Sequence, residues 1–428
     1  MLWVFLGVLF AFVALGVPVV FALGLANIVL LFLMDIPFTV LAGRMVAGMN
    51  SFPLLAIPFF MFVGEVMNRG GIARRLVNFA DAIVGHITGG LGHVNILASM
   101  FFGGISGSAI ADTAAIGGLM VPPMVQQKYP PSYSAAVTAS SSVIGIIIPP
   151  SIPFILFGIV TSTSIARLFL GGIIPGILVG LALMVTTYLT SKKHGYGVTE
   201  GQVKRFSVKA VFRSFLEVWP ALTIPVIIVG GILGGIFTAT EAGAVAAVVA
   251  LLLSLLLYKE IRIRDLPRVL LNTAKTTAIV LYLCGMAMVS AWLLTRARVP
   301  ANLAALLTNI TDSQLLILLM CNLLLFLIGF VMDLTPAMLI LAPILTPVMA
   351  QVGIDPVYFG VIMSINLGIG LITPPVGTVL YVACGVANVK LEQLVKDLFP
   401  FLMTLLGVLV LLIVFPDLVM FIPRMFFR

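Results

Sequence analysis

The chain carries one long apolar pattern twice, and both copies are interrupted by a proline pair at the same place. A shift of 225 residues, without a gap, brings Gly104 onto Gly329, Pro122 onto Pro347, Met124 onto Met349 and Tyr133 onto Tyr358. The same shift brings Gly145 onto Gly370, Pro149-Pro150 onto Pro374-Pro375 and Pro175 onto Pro400. Prolines and glycines mark backbone breaks, so what repeats is a set of interrupted helices. Paired Gly/Pro interruptions in corresponding hydrophobic segments point to the binding site of a secondary transporter.

Apolar residues make up 61% of the 428 positions, charged residues only 9%, and mean hydropathy is +1.24. No soluble core needs that much apolar surface, so the sequence reads as an all-α polytopic membrane protein. Its apolar runs approach the roughly 20 residues of a spanning helix, which excludes a barrel of strands with about 10 alternating residues. The three cysteines, Cys284, Cys321 and Cys384, lie in apolar stretches with no CxxC spacing and read as small packing residues. The first helix lacks a basic leader and a small-residue cleavage site, so it is expected to be a retained span.

Two repeats are expected, 1–190 and 219–428, joined by a basic connector over 191–218. Each would hold about five transmembrane helices. The segments 95–124 and 314–348 are too long for one span and too tight in the middle for two. They read as re-entrant hairpins, tolerated at membrane depth only where protein or a water-filled cavity satisfies the backbone. The runs 133–163 and 356–386 read as helices broken at the proline pairs, and 398–422 as one terminal span. The stretches 68–90 and 295–312 read as interfacial helices. Placing the basic loops 191–213 and 259–275 in the cytoplasm puts 17 of the 23 Lys and Arg residues inside. An odd number of spans per repeat then inverts the second copy relative to the first.

The first hairpin tip reads Gly103-Gly104-Ile105-Ser106-Gly107-Ser108-Ala109-Ile110-Ala111-Asp112-Thr113. Small residues let backbones approach, hydroxyls offer neutral oxygen ligands, and the positive end of a half-helix suits a carboxylate. Asp112 in such a segment costs roughly 3 kcal/mol or more unless paired or wetted. The second tip, Gly329 to Pro336, holds Asp333 and Thr335, and Asp333 falls on Ser108 under the shift. Asp333 also stands where a carboxylate would cap the following helix. Carbonyls freed near Gly145 to Pro149 and Gly370 to Pro374 are the groups that hold Na⁺ in broken-helix folds. Hydroxyls of Ser140, Ser141, Ser142, Ser151 and Thr373, with Asn366, lie close to them in sequence. The expected substrate contacts are therefore Ser106, Ser108, Asp112, Ser151, Asp333 and Thr335. The expected sodium contacts are Ser106, Gly107, Gly145, Pro149, Gly329, Asp333, Gly370 and Thr373. Glu65 and Glu241, near span ends, read as snorkelling or capping residues.

Gly104-Ile105-Ser106-Gly107 also fits the GxSG pattern of rhomboid intramembrane serine proteases. That chemistry needs a histidine on a later membrane helix, and the only later one, His194, falls in a basic loop. A channel is the other class, but nothing here resembles a ring of filter carbonyls.

With these motifs in view, the chain resembles the large membrane subunit (M subunit) of TRAP, the tripartite ATP-independent periplasmic transporters. The resemblance is carried by Gly104–Met120 (GISGSAIADTAAIGGLM), by Pro149–Leu178 and by Gly234–Ala247, where Ala239 departs from the proline expected. It covers essentially the whole chain. It implies a non-enzyme of the bacterial inner membrane, with no cofactor and Na⁺ as coupling ion. It also implies a transport domain that moves as an elevator against a scaffold. A small membrane Q subunit, expected as a separate chain, and a periplasmic substrate-binding P subunit would be partners, beside membrane lipid. The implied substrates are carboxylates: C4-dicarboxylates, sialic acids and other sugar or keto acids, and the sequence looks closest to the family's sialic-acid branch.

Overall fold

The computed structural model describes residues 1–197, 206–374 and 376–427. Pro375 of the second proline pair, and Lys204 and Arg205 of the basic connector, lie outside the described residues. The described residues form helices and connecting turns without a β-strand, and seven helices are long and apolar enough to cross a membrane.

The first half runs α1 (Leu2–Ala14), α2 (Val19–Leu33), α3 (Thr39–Met49), α4 (Ala56–Arg69), α5 (Ile72–Val84), α6 (Gly90–Ser106), α7 (Ala109–Gln126), α8 (Pro131–Ser142), α9 (Ile152–Thr161) and α10 (Ile165–His194). The second runs α11 (Val208–Leu233), α12 (Ala239–Leu252), α13 (Leu266–Arg296), α14 (Val299–Ile310), α15 (Gln314–Gly329), α16 (Leu334–Gln351), α17 (Pro356–Gly370), α18 (Thr378–Ala387), α19 (Leu391–Val414) and α20 (Asp417–Phe426). The 225-residue shift carries α7 onto α16 residue for residue, and α4 to α10 onto α13 to α19 within a few residues at most boundaries. Both hairpins form, as α6–α7 and α15–α16, and both long runs break, between α8 and α9 and between α17 and α18.

One expectation needs correction, and two features go beyond the sequence reading. The run 398–422 is not one helix: α19 ends at Val414 and α20 starts at Asp417, because Pro416 has no N–H to continue the ladder. The connector 191–218 is helical at both ends, in α10 and α11, since long Lys and Arg side chains are solvated beyond the apolar span. Helix α3 was not foreseen: Gly43, Arg44 and Gly48 dilute its apolar pattern, and its packing on α13 makes it helical.

Packing joins the two halves. The half-helix after each break lies on the hairpin arm of the other half: α9 on α16, and α18 on α7. Within each half, a tyrosine near the start of the broken helix reaches the helix two elements on. Tyr133 Oη lies 3.0 Å from Thr190 Oγ1 and 3.2 Å from Ser191 Oγ, and Tyr358 donates to the Leu412 carbonyl at 3.1 Å. A second group of helices, α1 to α4 with α12 and α13, packs beside this body, α3 and α4 both lying on α13.

Candidate functional site

The site grows from the two breaks. Gly107 ends α6 with φ of 62°, a left-handed conformation that favours glycine. The next residue, Ser108, caps α7 by accepting from the Ala111 N–H at 3.4 Å. A methyl group on Gly107 would come within 2.9 Å of the Pro150 carbonyl oxygen, so the hairpin tip rests directly on the first break. Deeper in, Gly103 and Gly145 press backbone to backbone, and Gly329 and Gly370 do the same in the other half. A side chain on Gly370 would lie 2.9 Å from the Gly329 Cα. These glycines leave room for each hairpin to touch its own half's broken helix; Gly145 and Gly370 are equivalent under the repeat, whereas Gly103 lies one residue before the equivalent of Gly329.

Around each break the freed carbonyls are partly used. Ser151 donates to the Ile146 carbonyl at 2.6 Å and caps α9, and Thr373 donates to the Ile369 carbonyl at 2.7 Å. Polar side chains at one equivalent position tie the broken helix to the hairpin in both halves. Ser141 donates to Asn95 Oδ1 at 3.3 Å; Asn366 donates to Asn322 Oδ1 at 2.8 Å and to the Asn322 carbonyl at 2.9 Å.

Both tips open on one cavity of about 380 Å³. Gly107, Ser108 and Ala109 line it from the first tip, and Asp333, Leu334 and Thr335 from the second. The starts of α7 and α16 thus face the same space. Its far wall comes from α2, α4 and α13 and is mostly apolar, with Met61, Val280 and Leu283 beside the hydroxyl of Thr276. Asp333 occupies the N-cap position of α16, yet its side chain makes no capping hydrogen bond and instead accepts from Thr378 Oγ1 at 3.2 Å. The far wall and Thr378 were not found by sequence reasoning, because no motif marks them.

Ser106, Asp112 and Ser151 lie outside that lining and are buried. Asp112 is fully buried one turn inside α7; the Ser99 hydroxyl lies toward its carboxylate, but among the described residues neither oxygen has a partner at normal hydrogen-bond geometry. Its Cβ lies 3.9 Å from where a side chain on Gly145 would begin. In the other half the Oδ1 atom of Asn366, one turn before Gly370, is also buried and without a hydrogen bond to accept. Each hairpin–break contact therefore has a bare oxygen beside it. Pro149, Gly145, Gly329, Gly370 and Thr373 all sit at these two contacts. Among the described residues no cluster of three His, Cys, Asp or Glu exists that would hold a transition metal.

Other polar residues are structural. Glu65, near the end of α4 and partly exposed, pairs with Arg69 at 2.7 Å and accepts from Asn272 at 3.0 Å. Glu241 forms a capping box with Thr238 at the start of α12, as expected of a capping residue. Ser106 has no histidine near it: its Oγ accepts from the Ser108 N–H at 3.4 Å. That leaves the protease reading without a base for the serine.

Comparison with known proteins agrees. The family "Tripartite ATP-independent periplasmic transporter, DctM component" matches residues 6–418. The chain is 43% identical over 418 residues to the 2,3-diketo-L-gulonate TRAP transporter large permease protein YiaN of Escherichia coli, covering 97% of both chains. It is 41% identical over 421 residues to the sialic acid TRAP transporter large permease protein SiaM of Vibrio cholerae, covering 98% of this chain and 97% of the relative. It is 42% identical over 411 residues to the isethionate TRAP transporter permease protein DctMQ of Oleidesulfovibrio alaskensis, covering 96% of this chain and 64% of the relative. Among solved structures, the YdaH transporter of Alcanivorax borkumensis superposes with a TM-score of 0.64 at 16% identity, over 89% of this chain and 88% of that one, a likeness of fold. The relatives are permeases, not proteases, and the chain is a multi-pass protein of the inner membrane. A doubled set of broken helices, two tips on one cavity and a match over nearly all its length make one statement: the chain belongs to the DctM component family of tripartite ATP-independent periplasmic transporters, the large permeases that carry organic acids.

Proposed function

We propose that this chain carries out sodium-coupled uptake of a small organic anion, delivered by a periplasmic binding protein. The observation that carries the reading is that two helix N-termini, at Ser108 and at Asp333, face one cavity. The partial positive charge at such ends favours a carboxylate. Ser108 and Thr335 offer it hydroxyls. Ser106 and Ser151, behind the wall, shape the tip and the break.

Sodium is the coupling ion in this reading. Asp112 is a buried carboxyl without a close hydrogen bond, and a bound cation is the group that would let it stay ionised there. It suits Na⁺ better than an anionic substrate. With the Ser108 carbonyl and the backbone near Gly145 and Pro149 it makes a first sodium site; Gly329, Asn366, Gly370 and Thr373 make a second. Asp333, ionised, would repel the substrate on its own. A bound Na⁺ offsets that repulsion and makes substrate and ion binding mutually dependent.

The repeats 1–190 and 219–428 are read as inverted, with α6–α9 and α15–α18 as a transport domain moving as an elevator against a scaffold that includes α1–α4 and α11–α13. A small Q subunit, as a separate chain, would extend that scaffold. The relative DctMQ, of whose length this chain covers 64%, is the reason to expect such a partner. The substrate is read as a sialic acid or a related acid. The three relatives named for different acids are all 41–43% identical to the chain, so identity alone does not choose among them. The test is uptake by reconstituted M, Q and P subunits across a panel of sialic, C4-dicarboxylic, keto-sugar and sulfonic acids, with and without a Na⁺ gradient. Uptake that runs equally well without Na⁺ on a proton gradient removes the coupling; no uptake of any organic anion removes the reading.

A further inference from the structure

A second cavity, of about 560 Å³, lies far from the hairpin tips, between the α2–α3 loop and the end of α13 that bears Arg296. Asp35, Arg44, Trp292 and Arg296 line it. The two guanidinium groups share one indole: that of Arg44 is 4.6 Å from the Trp292 ring and that of Arg296 is 5.6 Å from it. Neither arginine has an ion-pair partner among the described residues. Two like charges gathered on one ring repel each other, and an anion between them turns that repulsion into attraction on both sides.

We propose that this cavity binds the phosphate of a membrane phospholipid. Four observations favour a lipid. First, α13 belongs to a 34-residue helical segment, Ile263–Arg296, with an apolar window long enough to cross a membrane; with the basic loop at its other end read as cytoplasmic, Trp292 and Arg296 fall at the opposite leaflet's headgroups. Second, guanidinium is the side-chain group that matches phosphate with two parallel hydrogen bonds. Third, Phe32, Phe38 and Val46 flank the charged residues and are more than half exposed, which offers acyl chains a surface that a soluble anion would not use. Fourth, the pocket is held in place. A methyl on Gly285 would come within 2.9 Å of Met45 and Met49, so α3 is pressed onto α13 next to Arg44. Asp35 adds a negative group to the same cavity, which favours a headgroup carrying an amine, as in phosphatidylethanolamine, over a purely anionic one.

The site would staple the α2–α3 loop to α13 through the leaflet. The full chain, purified with its partner subunits and stripped of loosely held lipid, is compared with Arg44→Gln/Arg296→Gln by native mass spectrometry. Thermal unfolding is followed with added phosphatidylethanolamine, phosphatidylglycerol or inorganic phosphate. The unsubstituted protein is expected to retain one phospholipid more than the variant and to gain thermal stability most from phosphatidylethanolamine. The variant is expected to lose both while unfolding at the same temperature without lipid. Should that variant not fold, Arg44→Lys/Arg296→Lys keeps the charge but loses the paired hydrogen bonds, and is expected to retain less lipid than the unsubstituted chain. Equal lipid retention by the variants overturns the proposal. So does stabilisation by inorganic phosphate as large as by lipid, which marks a free-anion site. A variant whose only loss is affinity for the binding protein marks a protein-docking surface instead and also overturns it.

Discussion

The two hairpin tips follow one plan but turn differently, the first at left-handed Gly107 and the second at right-handed Phe330, and they differ in where they keep their carboxylate. In the first, Ser108 stands at the helix start and Asp112 one turn inside, fully buried. In the second, Asp333 stands at the helix start, on the cavity, and the residue matching Asp112 is the buried Ala337. A glycine of each hairpin, Gly103 or Gly329, meets the glycine of its broken helix, Gly145 or Gly370, with the hairpin partner one residue out of the 225-residue register. The repeat thus supplies the frame, and the polar chemistry differs within it: a buried carboxyl group on one side, a cavity-facing one on the other. A carboxyl one turn down a helix has lost water and stays ionised only with a compensating partner; one at the N-cap still meets the cavity and the helix dipole.

The comparison breaks first at Asp112. Asp112→Asn is expected to raise the Na⁺ concentration needed for uptake roughly 10- to 100-fold, the equivalent of losing a charged contact of about 1.5–3 kcal/mol. In the unsubstituted protein Na⁺ should raise the unfolding temperature; in the variant that rise should vanish while the fold survives. A variant with unchanged Na⁺ dependence would show that Asp112 is held by water alone.

Asp333→Asn comes next. It keeps an acceptor for Thr378 but removes the charge, and uptake is expected to fall by about tenfold with a higher Na⁺ requirement, through loss of one charge-assisted contact. Transport at the unsubstituted rate would leave Asp333 as the first residue of a helix and nothing more. If the two aspartates give the same phenotype, the division of labour drawn above is wrong.

Gly370→Ala tests the frame itself. Its methyl would sit 2.9 Å from backbone that has nowhere to go, so a stability loss of about 1–3 kcal/mol is expected, read as a lower unfolding temperature. Gly385→Ala, where nothing lies within 4 Å, serves as the control and should be neutral. Equal effects of the two would mean that the hairpin contact is not tight.

The smallest effect is expected from Ser108→Ala. Losing the cap of α7 costs about 1 kcal/mol, and uptake should drop several-fold with assembly intact. Normal uptake would move the substrate away from the first tip.

Much of this was legible in the sequence because its information is local. Proline lacks an N–H whatever surrounds it, so the breaks at Pro149 and Pro374 could be read directly, as could the hairpins bounded by small residues. The terminal helix was misjudged because Val414 and Asp417 look like one apolar run unless Pro416 is given full weight. Helix α3 was missed because packing on α13, not composition, makes it a helix. At the site, Ser108, Asp333 and Thr335 were singled out by position in a repeat. Met61, Thr276 and Thr378 were not, since they reach the cavity from distant segments.

The sequence by itself determined the class of molecule, the doubling, the breaks and the polar residues at each tip, since apolar length and proline chemistry act over a few neighbouring residues. Only the tertiary structure decided that both tips share one cavity, that Asp112 is sealed behind it while Asp333 faces it, and that α9 and α18 each lie on the other half's hairpin. The crossed packing of α9 on α16 and α18 on α7 joins residues more than a hundred positions apart, and the glycine contacts Gly103 on Gly145 and Gly329 on Gly370 join separate helices within each half; no local pattern records either.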